Sequence, residues 1–94
     1  MDVYDIIVDE LFKKKSLAAL MFLIDGGREL EIAFNGCEYF ISQSGSAKYV
    51  SIWQRNVAES EQSFESTYEL ICNAVINRKA FAEAWKSAEP KFLL

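Results

Sequence analysis

Asn35-Gly36 separates two runs that alternate between polar and apolar residues, and no other feature constrains the fold as much. Residues 29–34 read Glu-Leu-Glu-Ile-Ala-Phe, and residues 37–42 read Cys-Glu-Tyr-Phe-Ile-Ser. Asn-Gly between such runs is a strong hairpin signal, because both central residues of a type I′ turn need positive φ. A two-residue turn sets the register. Phe34 faces Cys37, Ile32 faces Tyr39 and Leu30 faces Ile41. Directly opposed residues share a sheet face. Leu30, Ile32, Phe34, Cys37, Tyr39 and Ile41 therefore make one apolar face. Glu29, Glu31, Ala33, Glu38, Phe40 and Ser42 make the other.

After a polar loop over 43–48, residues 49–54 (Tyr-Val-Ser-Ile-Trp-Gln) are rich in strand formers and predict a third strand. If Ile41 faces Val50 and Phe40 faces Ser51, then Tyr49 and Trp53 flank Phe40 on the outer face. Residues 55–62 are polar and read as a connection, with room for a frayed strand extension.

Helical signals flank this sheet. Asp2 suits an N-cap, and Val3, Ile6, Ile7, Leu11 and Phe12 fall near helical spacing. Ser16 either starts a second helix or lies within one long helix. Residues 17–24 form an apolar run of eight that suits a buried helix and is too short to cross a bilayer. The run follows Lys13-Lys14-Lys15, but Asp2, Asp5, Asp9 and Glu10 come first, and a secretion signal does not begin with acids. Gly26-Gly27 end that helix. Ser66 and Glu69 have capping-box spacing. Beyond them, propensity allows one helix over 67–87 or a break near Asn77. Phe81, Ala84 and Trp85 lie on one helical face, Pro90 closes the segment, and 91–94 read as a tail.

The sequence thus predicts a single α+β domain over 1–94. It has an N-terminal helical segment, a three-stranded antiparallel meander, and C-terminal helices packed on one sheet face. Ninety-four residues bury about 60–65% of their unfolded surface, enough to fold alone.

Four segments resemble a loose group of small uncharacterised proteins from Gram-positive bacteria and their mobile elements. They are Gly27-Arg28-Glu29, the hairpin from Glu31 to Tyr39, Phe64-Glu65-Ser66 leading into Glu69-Leu70, and Ala74 through Trp85 with its Phe81-x-x-x-Trp85 ending. The resemblance covers roughly residues 17–86. It implies a helix, a three-stranded sheet and two short C-terminal helices separated by a tight turn. A glycine is expected at that turn, and Asn77-Arg78-Lys79 has none. The resemblance brings no activity with it.

Chemistry is sparse. The chain has no histidine, so the commonest general base and metal ligand are missing. Cys37 and Cys72 read as reduced, structural thiols that react slowly. Glu29, Glu31 and Glu38 share a strand face, where carboxylates ordinarily carry solvating charge rather than acid–base chemistry. No catalytic residue, cofactor or metal is expected. The net charge of −4 argues against a basic nucleic-acid or membrane surface, and a cytoplasmic location is expected.

The feature with most content is the outer face. Phe40, Tyr49 and Trp53, rimmed by Glu29, Glu31 and Glu38, form a candidate interaction surface. The expected function is a non-enzymatic protein-binding module whose partner is another protein or a second copy. The alternative is a phage- or mobile-element-encoded inhibitor that presents acidic surface to a host nucleic-acid enzyme.

Overall fold

The structure, a computed structural model, describes residues 2–45 and 49–94. The part of the expected polar loop at 46–48 lies outside the described residues. Two helices come first, α1 (Val3–Lys14) and α2 (Leu17–Asp25). Asp2 caps α1 by accepting from Asp5 N at 2.9 Å, and Ser16 caps α2 by accepting from Ala19 N at 3.1 Å. Lys15 takes a left-handed φ of 54° between them, so the segment is two helices. At the end of α2, Gly27 N–H bonds Ile24 O and Arg28 N–H bonds Leu23 O. This is the Schellman pattern, and Gly27 supplies its positive φ of 92°.

The hairpin of β1 (Leu30–Phe34) and β2 (Cys37–Gln43) has the expected register, with Phe34 opposite Cys37, Ile32 opposite Tyr39 and Leu30 opposite Ile41. Asn35 and Gly36 have φ values of 54° and 78°, as a type I′ turn requires. Next come β3 (Val50–Gln54) and β4 (Val57–Phe64), then α3 (Thr67–Asn73). A two-stranded ribbon follows, β5 (Val75–Ile76) with β6 (Lys79–Ala80). The chain ends with α4 (Phe81–Trp85) and β7 (Glu89–Leu93).

Among the described residues the sheet has five strands in the order β4-β3-β2-β1-β7, all antiparallel neighbours, and this corrects the expected three. Both extra strands are edges. β4 was hidden by its polarity, since an edge strand covered on one side tolerates Glu59, Ser60, Glu61 and Gln62. β7 was hidden by Pro90, which a sheet accepts at an edge; the ladder with β1 is irregular between Glu31 and Ile32, the partner of Pro90.

One core joins the inward residues of the sheet, including Leu30, Ile32, Tyr39, Ile41, Val50 and Ile52, to Leu11, Leu20, Leu23, Ile24, Leu70 and Phe81 of the helices. Thr67, fully buried at the start of α3, donates to the Asp25 carboxylate at 2.6 Å and so ties α3 to α2. Ser66 caps α3 by accepting from Glu69 N at 3.1 Å.

The stretch 67–87 is broken. Asn77 and Arg78 both adopt positive φ, 51° and 67°, in the tight turn of the β5–β6 ribbon. The left-handed conformation costs a non-glycine residue about 1–2 kcal/mol, and glycine gives back part of that in unfolded-state entropy. Arg78→Gly is therefore expected to stabilise the protein by about 0.5–1 kcal/mol, seen as a higher urea midpoint. A lower midpoint would show that the arginine side chain matters more than its backbone.

The cysteines are both free, but they are not equivalent. Cys37 is half-buried beside the core, whereas Cys72 is exposed on α3. Cys72 lacks the burial that would slow its reaction, because an outward helix position leaves it exposed. In native buffer Cys72 is expected to alkylate first, with Cys37 following only slowly. Mass spectrometry after a short iodoacetamide pulse would show the order, and equal labelling would contradict it.

Candidate functional site

Strand alternation places Glu31, Ala33, Glu38, Phe40, Ser42, Ser51 and Trp53 on the sheet face opposite the core. Here the register of β2 with β3 matters. Phe40 lies directly opposite Trp53, and Ile41 opposite Ile52, two residues from the expected pairing. A shift of two preserves which side chains share a face but changes which ones touch. The tight Asn35-Gly36 turn sets its own register, whereas the longer connection before β3 does not.

The consequence is an aromatic pair. The Phe40 and Trp53 rings stack with centroids 5.5 Å apart and planes at 27°. Offset ring pairs of this kind add about 0.5–1.5 kcal/mol beyond the area they bury. Tyr49 does not join them. It precedes β3, and its carbonyl accepts from Ser44 N at 2.8 Å. Four strand residues from Trp53 correspond to roughly 13 Å. Its neighbours lie around a shallow hollow lined by Ser63, Phe64, Glu65 and Glu69.

Arg55 was missed by the sequence reading and organises the acidic residues. It lies in the β3–β4 turn, and its guanidinium carbon sits 5.1 Å from the centroid of the Phe40 ring. Arg55 Nη2 donates to Glu31 Oε1 at 3.1 Å, and Nε approaches Glu38 Oε1 at 3.3 Å. Its backbone N–H also bonds Glu38 O at 2.8 Å. The cation thus lies over the Phe40 ring and pairs with two carboxylates. Glu31 is nearly buried, so its pairing carries more weight than an exposed ion pair does. Glu29 stands apart at the β7 side, where its backbone exchanges hydrogen bonds with Leu94.

Phe92 was also missed. It lies opposite Glu31 in the β1–β7 ladder and is 61% exposed. Across β7, β1, β2 and β3 the outer face therefore presents a row of Phe92, Glu31, Phe40 and Trp53. The only hint in the sequence was an apolar residue after Pro90, in a stretch too short to show a period.

Among the described residues, no cluster of three or more His, Cys, Asp or Glu could hold a metal ion. Nor is any helix there long and apolar enough to cross a membrane. By its fold the chain is an α+β protein built on a five-stranded antiparallel sheet. No family model, curated protein or solved structure matches it.

Proposed function

We propose that the chain is a non-enzymatic protein-binding module that works in the cytoplasm. Its contact surface is the outer sheet face, and the occupant of that face is a second copy of the chain. In this reading the helices cover the Leu30 side and leave the Phe40 side to the partner. The observation that carries it is the open row from Phe92 to Trp53, an apolar strip with charged residues along it. An apolar centre within a polar rim is the anatomy of a contact surface. The charges favour self-contact because both signs are present. Arg55 and Lys91 share the region with Glu29, Glu38 and Glu89. A two-fold axis through such a face can set cation against carboxylate, whereas a wholly acidic face would repel its copy.

The test is Phe40→Ser combined with Trp53→Ser. Both residues are half-buried, so the variant is expected to remain folded by circular dichroism while its dimer dissociates in sedimentation. A wild type that stays monomeric at high concentration overturns the reading. So does a variant that stays folded and dimeric, and a variant that unfolds shows the pair to be a second small core.

The alternative, an inhibitor presenting acidic surface to a nucleic-acid enzyme, is favoured by a different observation. Glu59 and Glu61 of the β4 edge and Glu65 and Glu69 beyond it are all exposed. Binding through them weakens steeply with salt, while association through the aromatic face does not.

A further inference from the structure

On the opposite side of the sheet, the β5–β6 ribbon leans over the ends of β2, β3 and β4 and encloses a cleft of about 330 Å³. This is the low end of the volume range of small-molecule sites. The cleft has an unusual lining. In a chain that is 26% charged, every described residue around it is uncharged. Its polar groups fall into two sets. Those of the first set are used by the fold. The Gln62 amide donates to Val75 O at 2.7 Å and accepts from Val75 N at 3.0 Å, which holds the ribbon to β4. Ser60 Oγ accepts from Gln54 N at 2.7 Å and donates to Val57 O at 2.6 Å, which closes the irregularity in the β3–β4 ladder.

The second set is unused. The Tyr39 side chain lies in the wall with only 5% of the residue exposed, and among the described residues its hydroxyl has no protein partner. The side-chain amides of Gln54 and of Asn77, in the ribbon turn, are likewise unpaired among the described residues. Tyr39 and Gln54 are directly opposed across β2 and β3, so their side chains leave the sheet together on one face. Burial, with the neighbouring Cys37 thiol, pushes the Tyr39 phenol above its ordinary 10.0, so at neutral pH it is a hydroxyl donor. The hydroxyl itself opens onto the cleft, since no buried side-chain polar atom among the described residues lacks a partner, so a ligand's acceptor can reach it without displacing a protein group.

We infer that this cleft binds a small uncharged molecule with an amide or lactam edge, its carbonyl accepting from Tyr39 and its N–H facing the Gln54 carbonyl. Val75, half exposed at the wall of the cleft, offers apolar surface to the body of such a ligand. An anion or cation entering the cleft meets no opposite charge and is left desolvated and unpaired. The cleft shares Trp53 with the outer face, but Tyr39 and Gln54, the groups that would hold the ligand, are on the other side of the sheet, so their variants leave the proposed dimer contact in place.

The test uses a matched pair of probes, benzamide and benzoate, titrated into the ¹⁵N-labelled full chain. Benzamide is expected to shift the Gln54 side-chain NH₂ resonances saturably and to slow alkylation of Cys37, with Cys72 as the unaffected internal control. Benzoate is expected to bind at least about tenfold more weakly, because its charge is unpaired in the cleft. Tyr39→Phe keeps the packing and is expected to weaken benzamide about tenfold, as the loss of one good hydrogen bond does. Gln54→Leu is the second variant, with the same expectation. The inference is overturned if benzamide gives no saturable shift up to its solubility limit. It is also overturned if benzoate binds equally well, or if both variants bind benzamide as the wild type does.

Discussion

A chain ending at Ala88 is expected to lose its cooperative fold. Residues 89–94 supply β7, which pairs along β1 and extends that ladder with Leu94 N–H to Glu29 O at 2.7 Å. Arg28 fastens the same segment from the side through the carbonyls of Leu93 and Leu94, and its guanidinium also reaches the Tyr4 hydroxyl on α1. Without β7, the backbone of β1 becomes a bare edge. Leu30 and Ile32, fully buried in the intact chain, lose the cover of Leu93. Several ladder hydrogen bonds and a partly buried leucine together amount to about 3–6 kcal/mol. A domain of this size holds only about 5–15 kcal/mol in total. The newly bared edge carries unpaired backbone groups that can pair with other chains. The expected result is an insoluble product, or a thermal midpoint lower by roughly 15–30 °C. Phe92→Ser is the control, because Phe92 points away from the core and its loss leaves the ladder intact. A truncated chain melting within about 4 °C of the full one would show that β7 is dispensable.

That strand also shows where the sequence stops being informative. The Asn35-Gly36 hairpin was legible because two independent signals agreed, the turn chemistry and the alternation on both flanks. The caps at Asp2, Ser16 and Ser66 were legible for a similar reason: each is a short polar side chain just before an apolar run, where unpaired helix amides need an acceptor. Edge strands give no such agreement. β4 has its solvent side and its open edge to satisfy, so its composition is that of a loop. β7 is too short for alternation to stand out beside Pro90. The break after α3 depends on two residues in the left-handed region without a glycine, a conformation that the ribbon contacts impose and propensity disfavours. On the candidate surface, parity placed Phe40 and Trp53 on one face. Only the two-residue register shift made them partners, and it left Tyr49 outside. Arg55 sits in a stretch whose composition is that of a polar connection. Its role arises because the β3–β4 turn returns the chain over Phe40, a placement that exists only once β4 is in the sheet.

Phe81→Ala is the point substitution expected to do most damage. Phe81 heads the largest side chains with no exposure, and it opens α4 directly after the ribbon. Its ring stacks on Trp85 with centroids 5.7 Å apart, and its N–H donates to Ala74 O at 2.8 Å. Trp85 in turn donates from Nε1 to Lys15 O at 2.9 Å, so the stacked pair ties α4 to the α1–α2 junction. α4 has only five residues and no side-chain cap, which leaves it no stability of its own. It stays helical because Phe81, Ala84 and Trp85 are held in the core. Removing the ring opens a cavity and also loosens the element that carries it. The cost is expected to be about 3–5 kcal/mol, read as a large fall in the urea midpoint with an unchanged slope. Phe22→Ala is the matched comparison. Phe22 is 55% exposed on α2, and its loss is expected to move stability by no more than about 0.5 kcal/mol. If both phenylalanines cost the same, the C-terminal segment is not the plug of the core, and the ribbon and α4 are a surface appendage to a smaller folded unit.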